Sequence, residues 1–188
     1  MYSGRVFIGV DPSLGEPGFA VLSETAEVLF SSSFPSGPLR GGCRLAEIQN
    51  FLWSNFNEDW LLAGACMEGP SLQSTHREFD LGEASGVLRA EVFKLGFDPL
   101  VIPPSQLKLF ATGTGKATKE DVIHSVKKRW GYDAQGNDNI ADALALARLA
   151  YVIATRTSVY RSELDVVNSL LHPVIKKTVF RIRKKENL

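Results

Sequence analysis

The chain has 188 residues, 44% of them hydrophobic and 22% charged, with a formal net charge of zero. That is enough chain to bury a core as one domain of ordinary size, and the composition is that of a soluble globular protein. No apolar run approaches the roughly 20 residues that a membrane helix needs. Met1-Tyr2-Ser3-Gly4-Arg5 has no basic segment leading into an apolar one, so no membrane partner and a cytoplasmic location are expected. Cys43 and Cys66 sit far apart among apolar neighbours. Without paired Cys or His spacing they read as reduced, structural thiols rather than metal ligands.

Residues 5–11 and 17–24 predict two strands joined by the turn "PSLGEPG", and 27–34 predicts a third, so the chain opens as an antiparallel meander. After "PSGPLRGG", a helix is expected from about Arg44 to Phe56, with Leu45, Ile48, Phe51 and Leu52 on one face. Residues 61–68, "LLAGACME", are an apolar run ending in an acid, followed by the polar loop "GPSLQSTHREFD". A helix from about Leu81 to Leu95 carries Gly82, Ala84, Ser85, Gly86 and Ala90, small residues that permit close packing. "FDPLVIPP" reads as a short strand and "SQLKLFATG" as a short helix. Thr118 and Asp121 form a capping-box pattern opening a helix over 119–130, which Gly131 ends. A further helix starts near Asn137 or Asp138 and runs through "IADALALARLAYVIA", and residues 159–171 read as another. Strands first, then strands alternating with helices, imply one α/β domain over 1–172 with a mixed sheet. Residues 173–188 form a basic tail.

Charge is unevenly spread. Lys108, Lys116, Lys119, Lys127, Lys128 and Arg129 lie between residues 104 and 131, against only Glu120 and Asp121. The tail carries Lys176, Lys177, Arg181, Arg183, Lys184 and Lys185 against Glu186. Solvated faces account for these on charge alone. A basic half and an acid-bearing half in one small domain would also suit a polyanion handled with the help of cations, the less favoured reading on charge alone.

Asp11 and Glu68 each end an apolar strand, and each is followed by Pro or Gly within two residues. Side by side, two such strands put both carboxylates at one sheet edge, where burial without a counter-charge is costly. Asp138 and Asp142 are four apart at the start of an otherwise apolar helix, so they share one of its faces. An acid at a helix N-terminus needs no function, because the dipole favours it. Four acids at element ends around a core favour a metal site, and oxygen donors without Cys or His suit Mg²⁺ or Mn²⁺. Lys116 and Lys119 in "TGTGKATKEDV" occupy a Gly-rich helix entry that is not a Walker A loop, since Ala follows Gly-Lys. The alternative there is an ordinary helix entry with exposed lysines. His76, His124 and His172 have no ligand spacing, and Trp53, Phe56 and Trp60 read as core or dimer packing.

"FIGVDPSLGEPGFAVL", "CMEG", "GEASGVLRAE", "GTGKATKEDV" and "NDNIADALALARLA", in this order and across roughly residues 5 to 156, resemble the RuvC family of Holliday-junction resolvases in the RNase H-like superfamily. The resemblance implies an RNase H-like fold, a five-stranded mixed sheet flanked by α-helices. It implies a homodimer that binds branched DNA and cuts four-way junctions by two symmetric nicks, with two Mg²⁺ (or Mn²⁺) ions per site. It implies catalytic and metal-binding roles for Asp11, Glu68 and Asp142. The fourth ligand falls on Asp138, with Asn139 as the alternative, because many members place their ligand three residues before the helix aspartate. Lys119 matches the family's basic loop residue, assisted by Lys116. Lys108 and Arg77 are further expected DNA contacts. Leu72 stands near the place of the family's junction wedge, with Phe79 the nearest aromatic. Rival readings are a broader RNase H-like nuclease for flaps or RNA–DNA hybrids, a junction-binding architectural protein, and an actin-like ATPase, which needs far more chain.

Overall fold

The computed structural model describes residues 2–70 and 78–172. Five strands, β1 (Gly4–Asp11), β2 (Gly18–Ser23), β3 (Val28–Ser33), β4 (Trp60–Glu68) and β5 (Leu100–Ile102), form one sheet in the order β3-β2-β1-β4-β5. β1, β2 and β3 are antiparallel neighbours, while β4 runs parallel to β1 and β5 parallel to β4. The tight turn after Asp11 can only return the chain antiparallel. The parallel half needs crossovers, which α1 (Gly41–Ser54) and α2 (Glu78–Lys94) supply. α3 (Pro104–Thr112), α4 (Lys119–Trp130), α5 (Asp138–Thr155) and α6 (Arg161–Leu171) complete the described chain.

The central strands are buried on both faces, so their sequences are nearly continuous apolar runs. Alternation still sorts them. Val6, Ile8 and Val10 pack with Phe19 and Val21 against Ile48 and Leu52 of α1 and Ala84, Leu88 and Val92 of α2. Phe7, Ala20, Leu22 and Cys66 face the other way, into α5. The apolar length of α5 lies directly on the sheet. A Cβ on Gly9 would stand 2.0 Å from the Ala143 carbonyl oxygen, so glycine there is what lets the helix descend.

Element boundaries follow local chemistry. The Thr118–Asp121 capping box opens α4, with the Thr118 side chain accepting from the Asp121 amide and Asp121 accepting from the Thr118 amide. Gly131 closes it at φ 75°. α1 starts earlier than its periodicity suggests, because Gly41 and Gly42 form its first turn instead of ending the loop. Cys66 is buried as expected, but Cys43 is exposed on that first turn and is no structural thiol. Trp53 is partly exposed and donates to Glu91, and Phe56 packs edge-on against Trp60. Among the described residues no helix is long and apolar enough to cross a membrane.

Candidate active site

Asp11 has the strand parity of Phe7 and Gly9, and Glu68 that of Gly64 and Cys66. Both acids therefore point to the face that α5 covers. Pairing of Val10 with Met67 on parallel β1 and β4 brings the two strand ends level. Asp142 arrives from α5, one turn in from its N-terminus. All three open into a cleft of about 420 Å³, which Lys108 of α3 and Lys119 of α4 also line.

Burial dominates the electrostatics. It raises the Asp11 carboxyl well above its ordinary range, and the charges of Glu68, Asp142 and Asp138 add to that rise. Asp11 and Glu68 lie within hydrogen-bonding reach of each other. Glu68 is pushed to about 7 by burial first and then by Asp142, against the pull of Lys108 and Lys119. Asp142 is pushed to about 6 by burial and Asp138, again opposed by the two lysines. Three carboxyls that resist ionisation in one cleft are a site needing positive charge. Their oxygen-only chemistry suits a hard divalent cation.

The fourth acid behaves differently. Asp138 is hydrogen-bonded to Lys119, whose ammonium is held above its usual range chiefly by that bond. Asn139, the alternative fourth position, lines the cleft itself. Among the described residues no three acidic, His or Cys side chains converge on one coordination point. The acids are gathered in the cleft but not drawn together.

Of the expected DNA contacts, Lys108 and Lys119 reach the cleft, while Lys116 is exposed on the loop between α3 and α4. Leu72 and Arg77 lie outside the described residues, as does the tail from residue 173. Phe79, at the start of α2, is 76% exposed. Sequence reasoning passed over Glu16 and Asn137, which meet beside the cleft. The available signals were an acid inside the turn that follows Asp11 and an asparagine at the N-cap position.

No protein-family model matches the chain. It is 30% identical over 145 residues to the crossover junction endodeoxyribonuclease RuvC of Prochlorococcus marinus subsp. pastoris, spanning 74% of this chain and 92% of that protein. It is 28% identical over 156 residues to the protein of that name from Rickettsia felis, spanning 79% and 98%. The Thermus thermophilus RuvC structure superposes with a TM-score of 0.63 at 22% identity, covering 76% of this chain and 90% of that one. The same protein in complex with a Holliday junction substrate gives 0.61. The fold is thus the RNase H-like one. Five strands in this order, with acids from β1, β4 and α5 at one sheet edge, go with likeness over nearly the whole length of these relatives, and the chain belongs to the RuvC family of crossover junction endodeoxyribonucleases.

Proposed function

We propose that the protein is a divalent-metal-dependent endonuclease that resolves four-way DNA junctions by paired nicks. The observation that carries this reading is the convergence of Asp11, Glu68 and Asp142, all with raised pKa values, on one cleft that also holds Lys108 and Lys119. These three carboxylates, with Asp138 or Asn139, would hold Mg²⁺ or Mn²⁺, two ions per site. When bound, the ions supply the Lewis acidity that activates a water and stabilises the leaving 3′ oxygen. The strands make Asp11 and Glu68 a rigid platform. Lys119, mostly exposed at the cleft edge, exchanges its contact with Asp138 for the phosphate being cut, where its charge offsets the negative charge that develops. Lys108 holds the same backbone from the α3 side. Lys116 and the basic tail add phosphate contacts that carry no sequence information.

Paired cutting needs two sites related by a two-fold axis, hence a homodimer. Gly82 and Gly86 support one. They lie one turn apart in α2, where glycine costs about 1 kcal/mol relative to alanine. Among the described residues, a Cβ on either would meet nothing within 4 Å. Close approach of a second copy gives these glycines a reason that packing within one chain does not.

A labelled immobile four-way junction, incubated with the protein and Mg²⁺, tests the activity against Asp11→Asn, EDTA, and duplex, flap and RNA–DNA hybrid controls. Paired nicks on opposing strands with wild type and metal alone are expected. Equal cutting of flaps or hybrids would keep the nuclease and discard junction selectivity. Binding without cutting would favour an architectural protein.

A further inference from the structure

We propose that Glu16 is a positioning residue for the acid cleft, acting through Asn137 and Ser33 to set the N-terminus of α5 against the turn that follows Asp11. This rests on reading the cleft as a metal-dependent nuclease site.

Three segments far apart in sequence meet at one carboxylate oxygen. The Ser33 hydroxyl, at the end of β3, donates to Glu16 Oε1 at 2.6 Å. The Asn137 amide, at the N-cap of α5, donates to the same oxygen at 2.6 Å and to Ser33 Oγ at 3.3 Å. The other end of the Asn137 side chain is committed, because its Oδ1 accepts from the Ile140 amide at 3.1 Å. One side chain thus caps the helix and ties it sideways. The cap dictates which way its amide faces, so the –NH₂ group must point at Glu16.

The tie matters because of what lies next to it. Asp138 and Asn139 immediately follow Asn137, and Asp142 is one turn further on. The large Phe7–Tyr151 contact lies further along the helix. Near its start the contact of α5 with the sheet runs through small residues, Gly9 and Gly18 below and Ala143 and Ala147 above. Such a face sets how closely the helix approaches. It offers few side chains that would stop the helix sliding or turning by a fraction of a residue. Glu16 and Ser33 supply that stop. The turn carrying Glu16 is itself pinned, since Ser36 donates from its hydroxyl to Leu14 O at 2.7 Å and from its amide to Gly15 O at 2.9 Å. Glu16 does not line the cleft, so its effect on the acids passes through the helix. Groups around metal ligands that orient them commonly shift metal affinity or activity by about 10- to 100-fold when removed.

The test compares Glu16→Ala, Glu16→Gln and Asn137→Ser with wild type. Two quantities are read: the melting temperature in EDTA, and the Mn²⁺ concentration at half of the metal-induced rise in melting temperature. Single-turnover nicking of a four-way junction at saturating DNA accompanies them. Glu16→Ala is expected to raise the Mn²⁺ midpoint about 10-fold or more and to slow nicking, with little change in the DNA concentration needed. Glu16→Gln should stay close to wild type, because its amide oxygen can accept the same two bonds. Asn137→Ser keeps a capping oxygen but loses the tie, so it should share the Glu16→Ala midpoint while nearly keeping its melting temperature in EDTA. A Glu16→Ala protein that melts earlier but keeps the wild-type midpoint would overturn the proposal. So would a Glu16→Gln protein as impaired as Glu16→Ala, since charge and not positioning would then be at work. If wild type shows no Mn²⁺-induced rise at all, it is the metal-site reading that falls, and the proposal with it.

Discussion

Gly18 of β2 lies directly under the backbone of Asn139, and a Cβ built on it would stand 2.2 Å from the Asn139 carbonyl oxygen. No rotamer relieves a clash between a Cβ and a main-chain oxygen, so alanine at 18 must lift the start of α5 off the sheet. Overpacking of this kind typically costs about 1–3 kcal/mol. Here it also moves Asp138, Asn139 and Asp142 away from Asp11 and Glu68. Gly18→Ala is expected to lower the urea midpoint by that order and to lose metal-dependent stabilisation out of proportion. Unfolding curves with and without Mn²⁺ measure both. An unchanged Mn²⁺ increment would show that the helix seat does not govern the site.

Stability of the metal-free protein should fall as pH rises. Asp11 is raised, Glu68 lies near 7 and Asp142 near 6, all above their ordinary carboxyl values. A raised folded-state pKa means that the folded chain binds protons more tightly than the unfolded chain. The contribution is therefore complete below the ordinary carboxylate range, roughly pH 4, and is lost as pH climbs through 6 and 7. In EDTA the melting temperature should drop by at least a few degrees between pH 5 and 8. Added Mg²⁺ or Mn²⁺ should restore more at pH 8 than at pH 5. A flat profile in EDTA would mean that these acids are not desolvated.

Glu68→Gln separates stability from activity. It removes a charge that burial and Asp142 both oppose, so at pH 8 in EDTA the variant should melt at or above wild type. Its nicking of a four-way junction should be abolished, because a proposed metal ligand is gone. Melting curves and a gel assay on one preparation suffice. A variant that melts well below wild type at pH 8 would contradict the electrostatic account.

Gly82 and Gly86 should respond in opposite senses in two assays. Alanine at either meets no atom of the described residues within 4 Å and improves helix propensity by about 1 kcal/mol, so the monomer should gain stability. A bulkier change such as Gly86→Leu should weaken self-association. Sedimentation velocity would read the dimer, and the ratio of paired to single nicks would read its consequence. An undisturbed dimer with Gly86→Leu would place the two-fold contact elsewhere.

Glu163 is fully buried on α6 and accepts from Arg129 at 3.0 Å, the Trp130 indole at 2.8 Å and the Ser158 hydroxyl at 2.6 Å. Arg148 completes the group as an ion pair at 3.7 Å. Glu163→Gln leaves two largely buried guanidinium groups without a counter-charge, which typically costs about 3–5 kcal/mol. Chemical denaturation should show that loss. Nicking well below the melting temperature should persist, because α6 holds helices together at a distance from the acids.

Much of this molecule is written in local chemistry. A capping box needs only Thr118 and Asp121, three residues apart, to open α4, and the residues themselves carry that information. Acids that end apolar runs mark Asp11 and Glu68 before any fold is known, because a buried strand does not take on a carboxylate without cause. The four-residue spacing of Asp138 and Asp142 on an otherwise apolar helix marks the other two acids, and family likeness adds the cutting of DNA. Relationships across the chain are another matter. That β4 lies beside β1, and so puts Glu68 against Asp11, is a product of crossover packing that no local pattern encodes. The meeting of Glu16 with Asn137, 121 positions apart, exists only once α5 has docked. The clearest case is the fourth site position. Asp138 and Asn139 are three and four residues before Asp142 in reverse order, and helical spacing puts both near its face. The seating of α5 on Gly9 and Gly18 separates their surroundings, turning Asn139 into the cleft and Asp138 towards Lys119. Sequence by itself determined the elements and most of the acids, because those depend on neighbours along the chain. Tertiary structure alone decided which acids come within hydrogen-bonding reach of each other and which one meets a lysine, because helix rotation and strand order are settled by packing across the chain.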